Sequence, residues 1–138
     1  MQIKSKVPYV NIEPNSARKL KTKSSKRQIP LIGSSFWAAQ QILKNVKDEF
    51  AFPHYTIKDY CHTNSASAAL NKWLKSRVPD HCVVHSFRHS MRDRLREINC
   101  PTEMIDQIGG WSNHKVGPLY GNGYSLKKLN ENLKQVII

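Results

Sequence analysis

Acidic residues are scarce in this sequence: 10 Asp and Glu stand against 22 Lys and Arg, for a net charge of +12 over 138 residues. No DxD pair or carboxylate cluster lies near the histidine-rich middle of the chain, so the ligand set of a two-metal nuclease is missing and no metal or other cofactor is expected. Cysteine is scarce too. Cys61, Cys82 and Cys100 are odd in number and lack CxxC spacing, which excludes a disulfide framework and fits a reducing interior. The pairs Cys61-His62 and His81-Cys82 are too isolated for a zinc site. No apolar run approaches bilayer length, and Met1 to Asn11 holds no continuous apolar stretch of the kind a secretory leader needs. Repeats and low-complexity segments are absent. The 39% of apolar residues still suffices for one domain with one core.

What is present in excess is positive charge, and it is unevenly spread. Met1 to Gly33 carries Lys4, Lys6, Arg18, Lys19, Lys21, Lys23, Lys26 and Arg27 against the single Glu13. A patch of this kind suits a polyanion, above all nucleic acid phosphates.

The residue pattern predicts a mainly helical α+β domain: a basic β-hairpin region over 1–33, then a helical region over 34–138. Val7 to Ile12, Ala17 to Thr22 and Arg27 to Leu31 read as short strands of a small antiparallel sheet. Pro14-Asn15-Ser16 and Lys23-Ser24-Ser25-Lys26 are the turns between them. Ser34 or Ser35 caps a helix running to about Lys47, with Phe36, Ala39, Ile42, Leu43 and Val46 on one stripe. Asp48 to Cys61 reads as irregular. Asn64 or Ser65 caps a second helix carrying Ala68, Ala69, Leu70, Trp73 and Leu74, ended by Val78-Pro79-Asp80. A third runs from about Ser86 to Ile98. A short fourth covers Thr102 to Ile108, with Pro101 as its first residue and Gly109-Gly110 as its stop. Ser125 caps a last helix on which Leu126, Leu129, Leu133 and Val136 recur at three and four.

The densest chemistry lies in His85-Ser86-Phe87-Arg88-His89. His85 and Arg88 are three apart at a helix start, where free N–H groups and the dipole favour an anion. An imidazole and a guanidinium aimed at one point there form a phosphate clamp. Alone, HxxR is more often a surface histidine and a salt-bridged arginine. Further along come Ile108-Gly109-Gly110-Trp111 and, nine residues after Trp111, Tyr120 in Pro118-Leu119-Tyr120-Gly121. In this combination the chain, from about Val7 to Leu133, resembles the C-terminal part of the catalytic domain of tyrosine recombinases of the phage-integrase type. Lys21-Thr22 followed by Arg27-Gln28-Ile29-Pro30-Leu31 resembles that family's catalytic lysine hairpin; Lys23 competes with Lys21 for the role.

The resemblance implies a chemistry. Tyr120 would attack a DNA phosphate to form a 3′-phosphotyrosyl bond, and a second 5′-hydroxyl would later rejoin the strand without ATP. Arg88 would stabilise the added negative charge. His85 would exchange a proton or donate to a phosphate oxygen. Trp111 stands where many members have histidine and donates only through its indole N–H. Lys21 would protonate the leaving 5′-oxygen. The implied partners are double-stranded DNA attachment sites and further copies of the chain, as a tetramer on DNA, in a bacterial cytoplasm or nucleoid and encoded by a prophage or mobile element. No membrane or small-molecule substrate is expected. Lys19, Lys23, Lys26 and Arg27 are candidate DNA contacts, as are His114 and Lys115, for which a plain loop role is equally open. Tyr124, thirteen residues after Trp111, does not fit the nucleophile spacing and is expected to pack. Arg92, Arg94 and Arg96 alternate with acids and read mostly as a solvated helix face. The tail at Val136-Ile137-Ile138 is expected to pack in cis or on a neighbouring protomer.

The pattern also has a gap. The family's first arginine lies on a helix upstream of the hairpin, and this sequence starts at the sheet. The expectation is therefore that this arginine and the N-terminal DNA-arm domain lie outside the chain, leaving it weak or inactive alone. Three other readings share some of the features: a DNA-binding relic without activity, a type IB topoisomerase, and a basic RNA-binding or ribosome-associated protein.

Overall fold

Tyr9–Ile12 (β1) and Arg27–Pro30 (β2) form an antiparallel pair, with Tyr9 opposite Pro30 and Ile12 opposite Arg27. The computed structural model describes residues 1–15, 19–57, 60–111 and 123–137, and of Lys23 the backbone alone. Ala17 and Arg18, the start of the expected middle strand, lie outside the described residues. Lys19 to Thr22 is not a strand: it runs irregularly into a bend. A 3-10 turn over Lys23–Ser25 follows, and the Thr22 hydroxyl closes it on the Ser24 and Ser25 hydroxyls, each at 2.9 Å. Three short polar side chains bonding locally compete with ladder formation, which is why this stretch turns early.

Helix α1 covers Gly33–Asn45. Its cap is Ile32 rather than a serine. Ser35 reaches back instead: its hydroxyl accepts from the Ile32 N–H at 2.9 Å and donates to the Ile32 carbonyl at 2.6 Å. The stretch read as irregular contains a 3-10 turn at Pro53–Tyr55 and a minimal hairpin, Thr56–Ile57 (β3) with Tyr60–Cys61 (β4). Helix α2 covers Thr63–Leu74 and starts ahead of the expected Asn64 or Ser65. Its apolar face is only partly used: Leu74 is buried, while Leu70 and Trp73 are 50% and 56% exposed. Among the described residues the result is a small α+β fold with five α-helices and two small antiparallel sheets. None of these helices is long and apolar enough to cross a membrane.

The second half of the chain holds the core. Helix α3 (Ser86–Glu97) contributes Leu95, α4 (Thr102–Gly109) contributes Met104, Ile105 and Ile108, and α5 (Leu126–Lys134) contributes Leu129 and Leu133. Cys100 and Val136 complete the cluster, with Ile29 of β2 packed against it. Local signals set each boundary. Asn99, at φ 54, ends α3 in the left-handed region that asparagine tolerates. Pro101 is the cap of α4 rather than its first residue, and its carbonyl accepts from Met104 and Ile105. The Ser125 hydroxyl caps α5 on the Lys128 N–H, as its sequence predicts. The tail packs in cis as far as Val136, which is buried and whose carbonyl accepts from Arg94. Ile138 lies outside the described residues.

Leu95 has no exposed surface and sits where α3, α4 and α5 meet. Leu95→Ala is expected to cost about 2–5 kcal/mol through lost burial and a residual cavity, read as a lower urea midpoint. Burial also pushes the Cys100 thiol above the ordinary thiol range. Cys100 should therefore react with a disulfide reagent more slowly than the half-buried Cys61 and Cys82. The sign of the linkage follows. The stability that the buried neutral thiol contributes is fully present below the unfolded-state pKa and is lost as pH rises through the higher folded value. Alkaline, not acidic, urea melts should reveal it.

Candidate functional site

Helix α3 carries the HxxR pair at its beginning. His85 is the cap residue and already has helical backbone angles, and the Arg88 N–H donates to its carbonyl at 3.0 Å. The His85 ring is exposed and meets His89, one turn on, edge to face at 5.2 Å. Arg88 is half-buried, and its guanidinium lies over the Trp111 ring at 4.1 Å. Two residues 23 apart, singled out by sequence, thus stack on each other through a cation–π contact.

What delivers Trp111 is the end of α4. Gly110 closes that helix at φ 67, in the left-handed conformation that glycine adopts without strain, and the Gly110 and Trp111 N–H groups both return to the Asp106 carbonyl. The chain reverses there and folds the indole back over Gly109. A Cβ on Gly109 would stand 1.9 Å from Trp111 Cζ3, so only a residue without a side chain admits the ring.

Two guanidiniums lie over the ring. Arg92 lies over it at 4.8 Å, one helical turn beyond Arg88. The reading of Arg92 as part of a solvated face is therefore corrected. Of its neighbours, Arg94 donates to the Val136 carbonyl and Arg96 pairs with Asp93 at 3.2 Å. The i, i+4 spacing of Arg88 and Arg92 is the signal that could have found this residue, and the alternating acids mask it. Among the described residues the ion pairs are Arg96 with Asp93 and Lys128 with Glu131. No carboxylate among them neutralises Arg88 or Arg92.

Arg27, expected to reach DNA, faces inward. Its Nε donates to the Ile108 carbonyl at 3.0 Å and its Nη1 to the Ser25 carbonyl at 2.8 Å. It thereby caps the negative end of α4 with a positive charge and ties the turn at Lys23–Ser25 to that end. A Cβ on Gly110 would come within 2.4 Å of Arg27 Nη1. Three arginines, 27, 88 and 92, thus touch the Gly109-Gly110-Trp111 corner. Lys19, Lys21 and Lys26 are exposed on the segment that Arg27 fastens there.

Tyr120, His114 and Lys115 lie outside the described residues, as does the Lys23 side chain. Both flanks of the segment holding Tyr120 are nevertheless defined. Trp111 follows α4 directly. At the other end the Gln107 side chain accepts from the Tyr124 N–H at 2.8 Å and donates to the Tyr124 carbonyl at 2.9 Å. Gly123 sits against the same amide, at φ 69. Tyr124 itself packs on the core, as its sequence position predicts. Among the described residues no group of three His, Cys, Asp or Glu side chains comes together as a metal site. Set against known proteins, the chain matches no protein-family model, no curated protein and no solved structure.

Proposed function

We propose that this chain cuts and rejoins DNA by the chemistry of the tyrosine recombinases, with Tyr120 as nucleophile. The observation that carries the reading is the stacking of Arg88 on Trp111 at the start of α3, with no carboxylate among the described residues to neutralise it. A half-buried guanidinium without a counter-ion, beside an exposed imidazole at a helix N-terminus, is built to receive a phosphate. The hydroxyl oxygen of Tyr120 forms a bond to the phosphorus of a backbone phosphodiester, and the bond to the 5′-oxygen breaks. Arg88 takes up the charge that develops on the non-bridging oxygens. His85 exchanges a proton at the site, and Lys21 delivers one to the leaving 5′-oxygen. Rejoining is the reverse, with a new 5′-hydroxyl. The partner is duplex DNA carrying an attachment sequence, bound by several copies of the chain, in a bacterial cytoplasm or nucleoid.

A second reading keeps the phosphate contacts and drops the cleavage. The half-buried arginines favour it as much as the first, since a passive phosphate site has the same needs. A duplex with a nick beside the cleavage position separates them, because the short strand diffuses away after attack and traps the covalent intermediate. A panel of candidate attachment sequences should give a band of protein joined to DNA on a denaturing gel. DNA binding that weakens with salt, with no such band on any duplex of the panel, would assign the chain to the second reading.

A further inference from the structure

We infer that Arg92 is a second phosphate-binding guanidinium, sharing the Trp111 platform with Arg88 to hold one phosphodiester oxyanion of the nucleic acid backbone; this rests on reading Arg88 as a phosphate contact. The two guanidiniums lie 4.1 and 4.8 Å from the centre of the same ring. Like charges held on one small platform repel each other, and the face of an indole offsets that only in part. Their side chains make no hydrogen bond or ion pair among the described residues. The Arg92 Nε is in addition buried without a hydrogen-bond partner. Its outer N–H groups are left to an incoming acceptor.

The rest of the corner keeps the arrangement from relaxing. Gly109 lets the ring in. The Arg27 bonds to Ile108 and Ser25 fix the backbone on which Trp111 begins. A planar guanidinium matches two oxygens of a phosphate at once, and two of them stand one turn apart on α3 over one ring. Arg96, on the same helix, differs in each of these respects: it is exposed and already paired with Asp93.

Salt dependence of duplex binding tests the assignment, because removing one phosphate-binding cation lowers the slope of log affinity against log salt by about 1. Fluorescence anisotropy with a labelled duplex should show this reduction in Arg92→Gln. Arg92→Lys, which keeps the charge, should retain the slope, and Arg96→Gln should match the unmodified chain. An unchanged slope in Arg92→Gln overturns the assignment, even where the covalent adduct forms. A reduced slope with no adduct sustains the phosphate site and overturns the cleavage chemistry instead. If Arg92→Gln does not fold, the unsubstituted site is read directly. In a chain with Trp37→Phe and Trp73→Phe, Trp111 emission is titrated with inorganic phosphate against chloride at equal ionic strength. A saturating change supports an oxyanion on this platform, and a response identical to that of chloride overturns it. Saturation by phosphate with an unchanged DNA slope in Arg92→Lys and Arg92→Gln alike assigns the site to free phosphate and overturns the backbone contact.

Discussion

Tyr120→Phe is expected to abolish the covalent protein–DNA adduct completely, while Tyr124→Phe leaves its yield within about twofold of the unmodified chain. In the proposed mechanism the phenol oxygen is the atom that bonds to phosphorus, so no residual pathway through that position survives its removal. Phenylalanine keeps the aromatic ring and removes only the hydroxyl, which makes loss of folding a poor explanation for loss of adduct. Tyr124 is the informative control because it is only four residues away and carries the same phenol. Its backbone is held at both polar groups by Gln107 and its side chain packs against the core. An adduct that survives in Tyr120→Phe and disappears in Tyr124→Phe would overturn the assignment of the nucleophile.

Gly109→Ala is expected to lower adduct yield about tenfold and stability by about 1–3 kcal/mol. The new methyl would meet three atoms of the indole at 1.9, 2.0 and 2.6 Å, distances no side chain tolerates, so the ring must swing away. Forcing extra volume into a packed position costs about 1–3 kcal/mol. Expelling the ring also removes the platform under Arg88 and Arg92, and a cation–π contact is worth about 0.5–2 kcal/mol. A loss of about 1.4 kcal/mol in transition-state stabilisation is tenfold in rate. If the effect runs through the ring, Trp111→Ala alone should reproduce the loss of adduct. The double variant should then lose little more, since both changes act on one contact. Additive losses would show that Gly109 serves some separate purpose. Urea melts and adduct yields on the four proteins decide it.

Much of the helical half is legible in the residues themselves. The pattern places helix α3 over Ser86 to Ile98, and it spans Ser86–Glu97. Ser125 caps α5 through the bond its residue type makes, and Gly110 ends α4 in the conformation that glycine exists to supply. These signals are local: the residue that sets each boundary lies within a turn of the boundary itself. The hairpin is less legible. Lys19 to Thr22 has the composition of a strand, yet the Thr22, Ser24 and Ser25 hydroxyls bond to one another and turn the chain. A small sheet has few ladder bonds to set against that. The apolar stripe of α2 is legible too, but its exposure at Leu70 and Trp73 is not, because a periodic pattern says that a face exists and not what covers it.

At the site the division is sharper. Residue identity and spacing alone determined that a histidine and an arginine would share a helix start and that Gly-Gly would stop the next helix in front of a tryptophan. The surplus of positive charge near the beginning of the chain was also a matter of composition. Each of these depends on residue type and short-range chain geometry. Only the tertiary structure decided that Arg88 and Arg92 meet Trp111, that Arg27 turns inward to the end of α4, and that Gln107 clasps Tyr124. Those contacts join residues 17 to 81 positions apart. A long side chain such as arginine reaches solvent, a carbonyl or an aromatic face equally well from the same backbone position, and which one it finds is set by the packing of α3 and α4 on their shared core.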